Sequence, residues 1–305
     1  LADLIASRYT IHNTELVDIN RLRTQRQKLH FAKMEGSGDD YIFFDNFERQ
    51  ITCPESLAIP STDRHYGIGG DGIVLMEQSD IADARMRIFN ADGTEGKMAG
   101  NCIRCVGKYL YDKGLCRKEE LVIETASGLK TLKLYPFHGA VGSVCVGMGR
   151  AVLRPECIPV RLPGDTVVNR PVDVADGCYR ITCVSMGNPH CVVFCDRVSD
   201  IDLERVGPLF EHDPLFPERV NTEFVRVINE RTLKMRVWER GNGETWACGT
   251  GACAAVVAAV ENGLCAKDTD VTVKLRGGDL VVRYSDEGVW LTGNAHLVYE
   301  GEIEY

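Results

Sequence analysis

MRIFNADGTEGKMAGNCIRCVGKYLYDKGLCRK, residues 86–118, is followed 149 positions later by MRVWERGNGETWACGTGACAAVVAAVENGLCAK, residues 235–267. The two stretches align without a gap and share eight identities in 33 positions, where chance gives roughly two at ordinary residue frequencies. The identities fall at the ends of the pattern as well as inside it: Met86 and Arg87 on Met235 and Arg236, Gly100 on Gly249, Gly114 on Gly263, and Lys118 on Lys267. The same offset holds outward. Gly38 falls on Gly187, each before an apolar run (Tyr41 to Phe44, Cys191 to Phe194), and Val122, Gly128 and Tyr135 fall on Val271, Gly277 and Tyr284. A constant register over this length points to one structural unit used twice.

Each copy reads in the same order. Apolar β-rich runs come first, Ile73 to Met76 and Phe224 to Val227, then Met86 to Phe89 and Met235 to Trp238. A polar, glycine-containing loop follows, and then helices over about 101–113 and 250–262. Gly114 and Gly263 stand where a helix ends on a left-handed residue. The second helix is apolar on nearly every face from Ala252 to Val260, the mark of a buried helix. The predicted fold class is α+β: two pseudo-symmetric lobes, each a curved, mostly antiparallel sheet around a central helix. The expected division is an N-terminal extension over 1–30, one lobe over 31–146 plus 294–305, and a second over 147–293. In the extension, Leu4-Ile5 and Leu16 to Ile19 are candidate short helices, and Arg21, Arg23, Arg26 and Lys28 form a short basic patch read as a solvated face. Because the chain starts at Leu1, further sequence is expected before it.

Composition limits the functions. At 305 residues, 44% hydrophobic and 26% charged, the chain has the make-up of a globular protein with a large core. The net charge of −9 argues against a nucleic-acid or acidic-lipid surface. No apolar run approaches the roughly 18 residues of a membrane helix. Nothing at the start resembles a signal peptide, and 13 scattered cysteines suit a reducing cytoplasm better than a disulfide scaffold. Cys102 and Cys105 are an isolated C-x-x-C, so no metal site is expected.

The two loop-to-helix joins, Lys97 to Cys105 and Trp246 to Ala252, are the expected site. Glycine permits close backbone approach, and a helix start offers unpaired N–H groups and partial positive charge. Together they suit a carboxylate or phosphate. A cysteine at that place, Cys248, is favoured as thiolate.

At these residues the chain resembles the diaminopimelate epimerase family. The matching segments are Lys33-Met-Glu-Gly-Ser-Gly-Asp-Asp-Tyr41, Asp63-Arg-His-Tyr-Gly-Ile-Gly-Gly-Asp-Gly72, Phe89-Asn-Ala-Asp-Gly-Thr-Glu95, Gly100-Asn101 with Arg104-Cys105, Met186-Gly-Asn-Pro-His190, Arg219-Val-Asn221, Glu239-Arg-Gly-Asn-Gly-Glu-Thr245 and Ala247-Cys-Gly-Thr-Gly-Ala252. They run in family order from about residue 31 onward. The resemblance implies inversion of an amino-acid α-carbon without cofactor or metal, one thiolate removing the proton and a second thiol delivering one to the opposite face. It implies Cys248 as one acid/base thiol, with His190 and Glu239 beside the reacting centre. Gly100, Asn101, Gly249 and Thr250 would hold the α-carboxylate. Asn90, Asn188, Asn221, Glu239 and Arg240 would fix the amino group and the distal end, with Arg240 as the charged clamp. Asp39 and Gly72 are expected to line the substrate pocket. The implied partners are a small-molecule amino-acid substrate and a second copy of the chain as a homodimer, with no nucleic acid and no membrane. A racemase of another amino acid, such as histidine, and a non-catalytic amino-acid-binding relative are the alternatives.

The chain departs from the family where the first cysteine should stand, at Ala99. Alanine moves no proton. Three readings stay open: an introduced replacement, Cys102 acting in its stead about 4.5 Å further along the helix, or a natural chain with lost or altered activity. Poor inversion, or none, is expected. Two smaller departures are Asp39, where the family usually has Asn, and Glu35, where His is common.

Overall fold

The computed structural model describes residues 28–96, 99–174 and 177–304. In the first copy, β1 (Lys28–Gly36) and β2 (Asp39–Asp45) form a hairpin. α1 (Pro54–Thr62), β3 (Gly72–Glu77), β4 (Ala84–Asn90) and the short β5 (Glu95–Gly96) lead to the central helix α2 (Gly100–Asp112), and β6 (Glu120–Thr125), β7 (Gly128–Phe137) and β8 (Ala140–Gly149) follow it. The second copy repeats this with β9 (Arg170–Val174), β10 (Gly177–Ser185), β11 (Pro189–Phe194), α3 (Leu203–Glu211), β12 (Asn221–Asn229), β13 (Thr232–Glu239), β14 (Gly243–Thr245), the central helix α4 (Gly249–Glu261), β15 (Asp270–Leu275), β16 (Gly278–Ser285) and β17 (Gly288–Gly293). β18 (His296–Glu304) closes the chain.

The 149-residue offset survives in the hydrogen-bonded ladders. β2 runs parallel to β3 with Tyr41 opposite Gly72, and β11 runs parallel to β12 with His190 opposite Asn221. β3 pairs antiparallel with β4, Ile73 opposite Phe89, and β12 with β13, Thr222 opposite Trp238. Each position is its partner plus 149. The helices end as the glycines predict: Gly114 and Gly263 have φ of 74° and 70°, a conformation that costs other residues about 1–2 kcal/mol.

The strands form where apolar and polar residues alternate. In β16, Leu280 and Val282 are buried while Asp279 and Arg283 face outward. Such alternation puts one sheet face on a core. That core is the space around α2 and α4. Ile103, Val106 and Leu110 of α2 pack with Leu121, Ile123, Leu132 and Val144, and Ala252 through Ala259 of α4 are buried in the same cluster. Alanine lets the sheet close on every side of α4, while Val256 and Val257 each contribute about 1.5–3 kcal/mol by burial. Smaller cores lie under α3, built on Phe210, Phe224 and Trp238, and under α1, built on Phe44, Leu57 and Phe89.

The lobe boundaries differ from the expected ones in two places. β1 begins at Lys28, inside the expected extension, because Lys28 already pairs with Glu304 of β18. The expected break at 146/147 falls within β8, which pairs with β7 on one side and with β17 on the other. The sheet therefore passes from one copy to the next without interruption, and β18 returns to β1. Leu4-Ile5, Leu16 to Ile19, Arg21, Arg23 and Arg26 lie outside the described residues. Among the described residues no helix is long and apolar enough to cross a membrane.

Candidate functional site

The two central helices meet start to start. A methyl built on Gly249 would lie 3.9 Å from the Gly100 Cα and 3.9 Å from Asn101 Oδ1. The residues that precede the helices have nearly the same backbone: Ala99 at φ −132°, ψ 125° and Cys248 at φ −134°, ψ 110°. Both first turns direct unpaired N–H groups into one small region, and two partial positive charges add there. A carboxylate fits such a place without a cationic side chain.

The α2 start is braced from below by Arg104, whose guanidinium is fully buried. It donates to the Asn294 carbonyl, the Gly100 carbonyl and the Ser37 hydroxyl, each at 3.1 Å. One side chain thereby fixes the helix start to the β1–β2 hairpin and to the link between β17 and β18. Across the lobes, a methyl on Gly277 would sit 1.8 Å from the Ser37 carbonyl oxygen, so glycine alone lets the hairpin dock.

On the C-terminal side, Cys248 Sγ accepts the Gly251 N–H at 3.4 Å and lies 3.5 Å from Thr250 Oγ1. Asn188 Nδ2 donates to Thr250 Oγ1 at 3.3 Å, and Asn188 Oδ1 faces His190 Nε2 at 3.0 Å. With that amide orientation Nε2 is the donor. His190 Nδ1 lies 2.7 Å from Glu223 Oε1. Glu239 accepts from the Thr245 hydroxyl, and its charge acts on the Cys248 thiol. Burial raises the Glu239 carboxyl above its ordinary range.

Cys248 itself departs from expectation. Its thiol is pushed well above the usual range, by burial first and then by the charges of Glu239 and Glu223. The sequence suggested a thiolate because a helix start favours negative charge. Loss of solvation and two neighbouring carboxylates outweigh that effect, and Cys248 rests as a thiol. Cys102 also fails as a substitute for a missing thiol at position 99. It is 1% exposed within the core cluster, and burial holds it protonated.

On the N-terminal side, Asn101 Nδ2 donates to the Asp39 carboxyl, and Asn101 Oδ1 is buried without a partner among the described residues. Asp39 is raised to about 7, chiefly by burial and further by Glu239 and Asp71; the Asn101 hydrogen bond and the Arg104 charge oppose the rise.

Other expected residues are placed differently. Asn221 Nδ2 donates to the Pro189 carbonyl and its Oδ1 accepts the Arg240 N–H, both at 2.9 Å. The Arg240 guanidinium, expected as the distal clamp, is bound to the Glu218 carbonyl at 2.9 Å on the exposed rim. Asn90 is exposed and donates to Thr94 Oγ1 at 3.0 Å, closing a turn. Gly72 lies inside the β2–β3 ladder, where a methyl would meet the Phe89 carbonyl at 2.4 Å and the Tyr41 ring at 2.7 Å; close packing accounts for it.

Sequence reasoning missed Glu223 and the charge cluster beside Asp39. Glu223 is fully buried, with Oε2 unpartnered among the described residues. Its signal was an acidic residue between Thr222 and Phe224 in an otherwise apolar run. In the cluster, Arg64 makes two hydrogen bonds to Asp40, at 3.0 and 2.6 Å, and one to Asp71 at 2.9 Å, while Lys33 pairs with Asp40 at 2.6 Å. These contacts hold the Asp63–Gly72 loop against β2.

The sequence profile of the diaminopimelate epimerase family matches residues 31–154 and 182–298. Curated relatives include the diaminopimelate epimerase of Acetivibrio thermocellus, 48% identical over 278 residues, covering 90% of this chain and 99% of the relative. That of Desulfovibrio desulfuricans is 50% identical over 282 residues, covering 90% and 98%. Among solved structures, a hydroxyproline epimerase from Agrobacterium vitis superposes with a TM-score of 0.65 at 14% identity, covering 92% of this chain and 93% of that one. A probable proline racemase from Agrobacterium radiobacter gives 0.66 at 14% identity, covering 90% and 92%. At that identity the likeness is one of fold, the two-lobed α+β architecture described above.

Proposed function

Because the chain belongs to the diaminopimelate epimerase family, we propose that it acts at the α-carbon of diaminopimelate, interconverting the LL and meso forms in lysine and cell-wall precursor synthesis. The reaction is PLP-independent in this family, so protein groups must carry the proton. The observation that supports this reading most directly is the meeting of two matched helix starts. Removing an α-proton sends charge into the α-carboxylate. Two helix N-termini aimed at that group stabilise the developing charge more than the ground state, which lowers the barrier.

Cys248 is the proton-active group of the C-terminal lobe. Glu239 takes its proton when a thiolate is required, and the His190–Glu223 pair and Asn188 fix Thr250 and the helix start around it. Ala99 supplies no thiol on the opposite side, so inversion is slower than in a two-thiol active site. The protein works as a cytoplasmic homodimer, which light scattering of the purified chain tests.

The deciding experiment is incubation with LL- or meso-diaminopimelate in deuterated water. Deuterium uptake at the α-carbon with slow inversion supports the reading. Absence of both binding and exchange refutes it. Preferential binding of monocarboxylate amino acids points to a racemase of another amino acid, and tight binding without exchange points to a binding protein.

A further inference from the structure

The two helix starts are not chemically equal, and the inequality follows a pattern. Adding 149 carries Ala99 to Cys248, Asn101 to Thr250, and Asp39 to Asn188. The structural contacts obey the same mapping. Asn188 is hydrogen-bonded to Thr250 on one side, and Asp39 to Asn101 on the other. The C-terminal lobe thus has an ionisable thiol at the residue before the helix and a neutral amide on the neighbouring strand. The N-terminal lobe has a methyl before the helix and an ionisable carboxyl on the neighbouring strand. Each helix start keeps one proton-active side chain, at a different one of two equivalent positions.

We infer that Asp39 is the acid/base group of the N-terminal lobe, exchanging a proton with the substrate α-carbon through bridging water on the face opposite Cys248. The inference rests on the epimerase reading above. Its geometry comes from the C-terminal lobe, where Cys248 Sγ, Thr250 Oγ1 and Asn188 Nδ2 form a chain with links of 3.5 and 3.3 Å. By the mapping, the Asp39 carboxyl stands two hydrogen-bond lengths from the place a thiol at position 99 would occupy. A water in that place, joined to Asp39 through a second one, spans the interval.

The proton balance is simple. The Asp39 carboxylate takes the α-proton through the water, and the C–H electron pair passes into the substrate carboxylate between the helix starts. The Cys248 S–H then gives its proton to the other face of the same carbon. Asp39 is left as the acid and Cys248 as the thiolate, and exchange with solvent resets both. The resting protonation fits this direction. Asp39 ionises at about 7, while Cys248 is held as a thiol, so above neutral pH a base faces an acid across the site. The charged and titratable groups around Asp39 are Tyr41 on β2, Cys102, Arg104 and Cys105 on α2, Asp71 before β3, and Glu239 on β13. Arg104 is the cation among them, and it favours the ionised form of Asp39.

The test uses the full chain and the variants Asp39→Asn, Ala99→Cys and their combination. Asp39→Asn retains an acceptor for Asn101 and removes the titration. It is expected to lower kcat for inversion at least about 100-fold, the usual scale for a positioned acid or base, with KM changed by less than about threefold. The parent rate, with Asp39 as the base, rises as pH increases through about 7. Ala99→Cys/Asp39→Asn regains inversion, because a thiol then does the work. The inference is overturned if Asp39→Asn inverts at the parent rate, or if the combined variant folds and binds but stays as slow as Asp39→Asn. It is also overturned if the parent exchanges α-deuterium through Cys248 with no inversion, a result that leaves the epimerase reading intact. Loss of both binding and exchange in the parent removes the two together.

Discussion

Replacing Ala99 by cysteine tests whether two matched helix starts are enough to rebuild a two-thiol site. The residues before the helices differ by 2° in φ and 15° in ψ, so a sulfur at position 99 is carried toward the substrate as Cys248 Sγ is. It adds one atom at a half-buried position and gains a weak cap of the kind Cys248 makes with the Gly251 N–H. The net effect on stability is expected within about 1 kcal/mol. A directly positioned acid or base contributes 10²–10⁴-fold in rate, or about 3–5 kcal/mol of barrier. Inversion by Ala99→Cys should therefore exceed that of a chain with no acid or base on this side by about 10²–10⁴-fold, and the parent, in which Asp39 acts through water, by at least about tenfold. The carboxyl of Asp39 opposes ionisation of the new thiol, as Glu239 and Glu223 oppose that of Cys248, which places the gain toward the lower end near neutral pH. The assay follows LL-to-meso conversion by chiral separation, with α-deuterium uptake measured in parallel. A gain below tenfold in a variant that folds and binds diaminopimelate would refute the claim that the two starts oppose each other across one carbon.

Other outcomes follow from the same geometry. Cys248→Ala should lower α-deuterium exchange of the stereoisomer whose α-proton faces Cys248 by about 10²–10⁴-fold while leaving the unfolding midpoint near the parent's, read by NMR and thermal denaturation. Asp39 binds its proton more tightly folded than unfolded, so its contribution to stability is present below about pH 4 and lost as pH rises to about 7. At about 1.4 kcal/mol per pKa unit, Asp39→Asn should be more stable than the parent by on the order of 2–4 kcal/mol near pH 8 and close to it near pH 4, measured by urea unfolding. Gly277→Ala places a methyl 1.8 Å from the Ser37 carbonyl oxygen and should cost about 1–3 kcal/mol or more. It should also lower kcat for inversion, because the displaced hairpin carries Asp39; steady-state kinetics and thermal unfolding check both.

The repeat was legible in the sequence because a buried helix and its flanking strands constrain residue type at every turn. Gly114 and Gly263 announced the helix ends, and the all-apolar face from Ala252 to Ala259 announced a helix enclosed by sheet. The departure at Ala99 was equally plain, since its mate one register away is Cys248. The limits lay in side-chain partners. Asn221 and Arg240 stand where the site residues were expected, yet their hydrogen bonds go to Pro189, to each other's neighbourhood and to Glu218. Glu223 escaped notice because a lone acid in a β run carries no sign of what it faces. The exact ends of the lobes were not legible because strand pairing, such as Lys28 with Glu304 and Val144 with Gly293, joins segments far apart in the chain.

The sequence by itself determined the duplication, the two central helices, their glycine-bounded ends and the family, because these depend on periodicity and on residues near one another along the chain. Only the tertiary structure decided the state of the ionisable groups. The same helix start that favours a thiolate in isolation holds Cys248 protonated once Glu239 and Glu223 are packed beside it and water is excluded. Asp39, which the sequence marks only as a departure from the family's usual Asn, is raised to about 7. Those shifts come from burial and from charges on distant segments, and neither quantity exists until the two lobes have closed around their helices.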